Sequence, residues 1–217
     1  MNLRLTPIVL RLLIANVLVF LVQMAFSREL WVREYFMLWK IDLIFPRWEP
    51  APEEGNFSFL PVQLITSFFA HDGVMHILFN MYALISFGPL VEHVMGAKRF
   101  LSFYLFCGLF GTTVTALFDP SPFPVLGASG ALFGVLVAFA YYYPNQRIGI
   151  MFLPFQFRVR PFILVICAIS ALLVIADVVG MTIGRGISHF GHLAGAAGAA
   201  VLLFGGNIPK LLKRNRN

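Results

Sequence analysis

Val125-Leu126-Gly127-Ala128-Ser129-Gly130-Ala131-Leu132-Phe133-Gly134-Val135-Leu136-Val137-Ala138-Phe139-Ala140-Tyr141-Tyr142-Tyr143 is an apolar run bounded by Pro124 and by Pro144-Asn145-Gln146-Arg147. As a helix rising about 1.5 Å per residue, it is long enough, or nearly so, to cross a hydrocarbon layer of roughly 30 Å. At its outer end Gly127-Ala128-Ser129-Gly130 places a serine with almost no neighbouring bulk. A serine held that close to its own backbone amides can act as nucleophile and as donor to an oxyanion. The base it would need is a histidine, and His192 enters another apolar run at similar depth.

Five further runs, near 8–26, 72–95, 99–118, 161–179 and 187–206, join 125–143 to make six. Hydrophobic residues form 59% of the 217-residue chain, and the mean hydropathy is +0.82. That balance exceeds the globular norm and makes the bilayer the simpler solvent. The expected fold is an all-α polytopic membrane protein, a compact bundle of six transmembrane helices. It forms a single membrane domain over 1–217, with 27–71 as the first extracytoplasmic loop and 207–217 as a basic cytoplasmic tail. The first run lacks a convincing small-residue cleavage site and is long for a signal h-region, so it reads as a retained anchor.

The net charge of +6 comes from 16 basic and 10 acidic residues. Arg4 and Arg11, Lys98 and Arg99, Arg147, Arg158 and Arg160, then Lys210, Lys213, Arg214 and Arg216 fall at alternating ends of the six runs. The positive-inside bias therefore predicts that both termini are cytoplasmic. Arg28, Arg33, Lys40, Arg47 and Arg185 fall on the other side, the first four sharing their loop with six acids. A basic tail directly after a span argues against a nucleic-acid partner. Short loops without an obvious targeting extension favour a bacterial inner (cell) membrane. Cys107 and Cys167 read as small buried hydrophobes. No metal-binding spacing that includes both cysteine and histidine is present, nor a nucleotide loop, so neither metal nor cofactor is expected.

The one long connection, 27–71, is aromatic and carries Pro46, Pro50, Pro52 and Pro61. Its part from Leu30 to Phe45 mixes Trp31, Tyr35, Phe36 and Trp39 with charges, a pattern suited to lying along the outer interface. Asp119-Pro120-Ser121-Pro122 reads as an outer loop ending the third run. Gly130 and Gly134 in one run and Gly191, Gly195 and Gly198 in another form small-residue faces, so these two helices are expected to touch.

The polar residues add a test of depth. With six spans, His76 and Asn80, Ser129, and His192 all lie a short way below the outer surface on helices entering from that side. Uncompensated polar side chains in a bilayer are costly and usually mark function. Neutral His192 has the basicity to take the Ser129 proton and return it to a leaving amine. No carboxylate is visible beside His192 in the sequence, so a Ser/His dyad is expected instead of a triad. His76 and Asn80, one helical turn apart, supply donors for the developing oxyanion. His189 is the rival base by spacing. His71 and Asp72 are expected to cap or approach the second run at the outer interface, while Glu92 and His93 at its inner end, before Lys98 and Arg99, suit an ion pair or helix-end contact. Lateral entry of a substrate helix is placed near the fifth run, which has no strong charge before Asp177. Each polar group also has a packing explanation, and a polar transport path would use the same residue types.

These residues resemble the rhomboid family of intramembrane serine proteases. His71-Asp72-Gly73-Val74-Met75-His76-Ile77-Leu78-Phe79-Asn80 is similar to the family's second-helix motif. Gly127-Ala128-Ser129-Gly130 fits its GxSG motif, and His192-Leu193-Ala194-Gly195 fits its histidine segment; Glu92 with Gly96 resembles the inner end of helix two. The resemblance implies Ser129 as nucleophile and His192 as general base, with His76 and Asn80 as oxyanion-site residues. It also implies a recessed fourth helix beginning at Ser129, and cofactor-free cleavage of transmembrane protein substrates near the outer face, in contact with lipid and water. Val62-Gln63 stands where many members carry Trp-Arg, which leaves the contacts of the first loop open. An inactive client-binding relative is the main alternative to an enzyme.

Overall fold

A computed structural model of the protein describes residues 5–27, 29–39, 41, 57–119, 124–149, 155–179 and 188–205. The expectations for the tail 207–217, for Arg185, for Pro120-Ser121-Pro122 and for residues 42–56 of the first loop lie outside the described residues. The first helix, α1 (Pro7–Ala25), opens with a proline where a missing N–H costs nothing. Its next two amides, of Ile8 and Val9, donate to the Glu92 carboxylate at 3.1 and 3.0 Å, and the Thr6 hydroxyl donates to the same group. An anion there meets both the orphan amides and the positive end of the helix dipole. Glu92 is buried, and the helix-end contact expected of it is made to the start of α1.

Two short helices follow, α2 (Leu30–Phe36) and α3 (Gln63–Thr66). Leu30, Trp31 and Tyr35 are exposed on α2. Gln63, fully buried, ties the loop together. Its Oε1 accepts from the Trp39 amide at 3.1 Å, and its Nε2 donates to the carbonyls of Glu34 at 2.6 Å and Ser58 at 3.1 Å. This answers the question raised by Val62-Gln63: one carboxamide gathers three loop segments. Trp39 stacks on Phe57 beside it at 5.0 Å.

The long helices α4 (Val74–Met95) and α5 (Ala97–Phe118) are joined by Gly96 alone. Its φ of +79° reverses the chain in a single residue, a conformation that favours glycine. At the other end of α4 the N-cap is Gly73, φ +85°, and among the described residues no side chain caps it; His71 and Asp72 approach this end of the helix without capping it, the Asp72 amide donating to His76 Nδ1. His71 turns inward instead, and its amide donates to Gln23 Oε1 of α1 at 2.9 Å.

Then come α6 (Ser129–Tyr142), α7 (Val159–Val178) and α8 (His189–Phe204). Between α6 and α7 lies an antiparallel ribbon, β1 (Arg147–Gly149) and β2 (Gln156–Arg158), a departure from a purely helical chain. Among the described residues four helices, α1, α4, α5 and α7, are long and apolar enough to cross a membrane. The runs 125–143 and 187–206 were expected to match them, yet α6 and α8 have 14 and 16 residues. At 1.5 Å per residue these reach only about 21 and 24 Å. For α6 the reason lies at its N-terminal end. Val125 pairs with Leu38 in an isolated bridge, and Gly127 adopts φ +121°, so helix begins only at Ser129; α8 starts behind Ser188, whose hydroxyl accepts from Gly191 N.

The short helices occupy the centre, where glycine replaces side chains. A Cβ on Gly195 would sit 1.9 Å from the Gly130 carbonyl oxygen, and one on Gly130 or Gly111 would lie 3.1 Å from the Gly191 oxygen. Helices α5, α6 and α8 therefore meet backbone to backbone, as the small-residue spacing of α6 and α8 predicts. By contrast α7 is peripheral, with Leu164, Val165, Leu172 and Ile175 all more than half exposed. An apolar surface of that kind is at home in lipid and not in water. The chain is an all-α polytopic membrane protein with one small ribbon.

Candidate active site

The segment before α6 is held from two directions. The Leu38 amide donates to the Val125 carbonyl at 2.8 Å and the reverse bond measures 3.0 Å, while the Gly127 amide donates to Ser67 O at 2.8 Å. The positive φ of Gly127 then turns the chain into α6, with Ser129 its first residue. Among the described residues no side chain caps that end. The first amides of a helix have no intrahelical acceptor, so here they remain available to a ligand.

His192 stands one turn into α8, and its Nε2 lies 2.8 Å from Ser129 Oγ. The residues 63 positions apart in the chain are thus hydrogen-bonded. The imidazole plane is set by Phe133, stacked against it at 4.2 Å with an angle of 10°. Its backbone is set by Ser188: the Ser188 carbonyl accepts from His192 N at 3.2 Å. The Ser188 hydroxyl in turn accepts from Gly191 N and donates to Asp119 Oδ2, both at 3.0 Å, with Thr115 Oγ1 3.3 Å away. Asp119, expected as an outer-loop acid, is buried and anchors the start of α8.

His76 and Asn80 of α4 face the same turn. A Cβ on Gly127 would come within 2.8 Å of His76 Nε2 and 3.7 Å of Asn80 Nδ2. The Asp72 amide donates to His76 Nδ1 at 3.3 Å. With Nδ1 accepting, the ring proton belongs on Nε2, the atom beside Gly127. Asn80 is buried, and its Nδ2 has no hydrogen-bond partner among the described residues. A buried amide donor left unsatisfied is costly unless a ligand completes it. His76, Ser129 and His192 are each half-buried.

All four residues singled out from the sequence therefore meet at one place. His189, the rival base, is buried and packs edge-on against His192 with ring centroids 5.7 Å apart; the serine hydroxyl pairs with His192. His71 backs His76 edge-on at 5.1 Å. Burial, reinforced by the charge His76 would carry, lowers the His71 pKa to about 4, against a smaller opposing effect of its bond to Phe69 O. It is a neutral spacer at neutral pH. Phe133 was missed in the sequence, although its place four residues after Ser129 puts it on the same helix face. Among the described residues no group of three or more His, Cys, Asp or Glu side chains is arranged to hold a metal.

A family model for the Rhomboid domain matches residues 60–206. The chain is similar to the presenilin-associated rhomboid-like protein A, mitochondrial, of Danio rerio, with 34% identity over 139 residues, 61% of this chain and 34% of that protein. It is 42% identical over 85 residues to the rhomboid protease GluP of Bacillus subtilis (strain 168), covering 39% of this chain and 16% of the relative. The human presenilin-associated rhomboid-like protein, mitochondrial, is 33% identical over 142 residues, 61% of this chain and 35% of its own length. The matches thus span about a third or less of the length of these relatives.

Proposed function

The chain belongs to the rhomboid family, and from that premise we propose that it is an intramembrane serine endopeptidase that cuts transmembrane protein substrates with a Ser129/His192 dyad. The observation that carries this reading is the 2.8 Å contact between Ser129 Oγ and His192 Nε2. His192 Nε2 takes the hydroxyl proton as Oγ attacks the scissile carbonyl carbon. The negative charge that forms on the carbonyl oxygen is met by Asn80 Nδ2, by His76 Nε2–H and by the Ser129 amide. Collapse breaks the C–N bond, and His192 delivers its proton to the departing amine. Water then repeats the sequence on the acyl ester, with His192 again as base, and frees the serine. Phe133 keeps the imidazole plane fixed throughout. The half-buried recess supplies the water that hydrolysis consumes.

In the proposed arrangement α6 and α8 join α1, α4, α5 and α7 as six membrane segments, the two short ones recessed at their outer ends. Both termini face the cytoplasm, and the dyad opens toward the extracytoplasmic side of a bacterial inner membrane. A substrate helix has its carbonyls occupied by internal hydrogen bonds, so local unwinding precedes attack. Entry beside α7 is supported by how little of that helix is buried. The test is cleavage of a model transmembrane substrate in proteoliposomes, together with labelling by a fluorophosphonate. Wild type should cut and be labelled, whereas Ser129→Ala should do neither while remaining folded. Equal cleavage by Ser129→Ala would remove the serine from the mechanism.

A further inference from the structure

We propose that Arg147 and Arg158, with the adjacent Arg160, bind the phosphate of an anionic membrane lipid at the end of the bundle where α6 stops and α7 starts. Arg147 and Arg158 are direct partners in the β1–β2 register, and both are exposed. Side chains so placed share a face with Cβ atoms about 5 Å apart, and like charges directly opposite are destabilising. The sequence offers them no local counter-charge, because there is no acid between Asp119 and Asp177. Glu92, the acid nearest in the turn between α4 and α5, is already engaged by the start of α1.

The ribbon's two faces differ. Ile148 packs against the core and Phe157 lies against Phe162 at 5.5 Å, which orients the opposite face outward. A Cβ on Gly149, on that outward face, would meet nothing within 4 Å. Exposed Arg160 follows two residues after Arg158. Phe155, 59% exposed, stands beside β2 with its ring 6.4 Å from Phe157. Tyr143 Oη donates to Leu90 O at 3.5 Å, so the turn bearing exposed Lys98 and Arg99 lies at this same end.

A doubled guanidinium matches a phosphate, which it grips through paired N–H donors. An exposed phenyl ring beside it suits the region where acyl chains give way to headgroups. Both occur at the end of membrane helices, the level at which lipid phosphate resides. The occupant is therefore a lipid, with its phosphate between the arginines and its chains along Phe155 and the exposed flank of α7.

The experiment compares the thermal midpoint of the full chain in detergent micelles with that of Arg147→Gln/Arg158→Gln. Without lipid the variant should melt at or above the wild-type temperature, because repulsion has been removed. Phosphatidylglycerol at about a hundredfold its dissociation constant should raise the wild type by on the order of 5 °C and barely move the variant. Arg147→Lys/Arg158→Lys should keep part of the shift. Phosphatidylcholine or inorganic phosphate at matched concentration should move neither protein. The proposal is overturned by an equal phosphatidylglycerol shift in wild type and Gln variant, by a shift reproduced with inorganic phosphate or phosphatidylcholine, or by a lipid-free Gln variant that melts well below wild type.

Discussion

Replacing Gly195 by alanine should separate nucleophile from base without touching either. The new methyl carbon would stand 1.9 Å from the Gly130 carbonyl oxygen, 2.6 Å from its carbonyl carbon and 3.1 Å from its Cα. All three are backbone atoms, so no rotamer change relieves the overlap. Carbon and oxygen tolerate about 3.3 Å, so α6 and α8 must part by roughly 1 Å or more. The same displacement, applied to the 2.8 Å contact between His192 and Ser129, stretches it beyond hydrogen-bond range. Overpacking of this kind costs about 1–3 kcal/mol, equivalent to roughly 2–12 °C in a domain of this size. A displacement of about 1 Å in an aligned site costs on the order of a hundredfold in turnover. The assay is cleavage of a fluorogenic transmembrane substrate in proteoliposomes, with kcat and KM separated and the melting temperature measured in parallel. Loss should fall on kcat. Gly149→Ala serves as the control, since a methyl there meets nothing. A Gly195→Ala protein with wild-type kcat and an unchanged melting temperature would refute the claim that backbone contact sets the dyad distance.

Other expectations concern single side chains. Asn80→Ala removes a buried donor with no hydrogen-bond partner among the described residues; kcat should fall about 10²–10³-fold with little change in KM, and a fall confined to KM would assign Asn80 to substrate binding. His189→Ala should retain more cleavage than His192→Ala, which should abolish it; the opposite ranking would transfer the role of base. The third expectation is a pH effect on folding: His71 has a folded pKa near 4 against an ordinary 6.5. The unfolded chain therefore binds more protons between these values. The stability from neutral His71 is complete above pH 6.5, declines as pH falls, and is gone once pH drops below about 4. Melting curves of wild type and His71→Asn should show a shallower acid slope in the variant, and identical slopes would exclude His71 as the source.

Much of the site was readable from spacing because a membrane narrows the explanations for polar residues. His76, Asn80, Ser129 and His192 were expected at one depth, and the structure brings their side chains around one turn. The glycines of α6 and α8 likewise disclosed a close crossing. Helix length was less legible. Hydropathy cannot distinguish extended residues such as Val125, paired with Leu38, from the apolar helix that follows. Nor could it foresee that Asp119 would be drawn inward by a serine near the far end of the chain, or that Glu92 would reach the first turn of α1. These are long-range pairings between residues that look ordinary in their own neighbourhoods. Phe133 illustrates a different obstacle: in a phenylalanine-rich membrane chain, one ring that orients an imidazole is indistinguishable by type from those that fill space.

Gln63 joins three stretches of the first loop through an uncharged amide. A guanidinium or carboxylate at that hub would bring a desolvated charge whose strength varied with its surroundings. The carboxamide neither titrates nor gathers counterions. The knot should therefore hold equally well in acid or alkaline, dilute or briny media, and the Leu38–Val125 bridge ahead of Ser129 inherits that indifference.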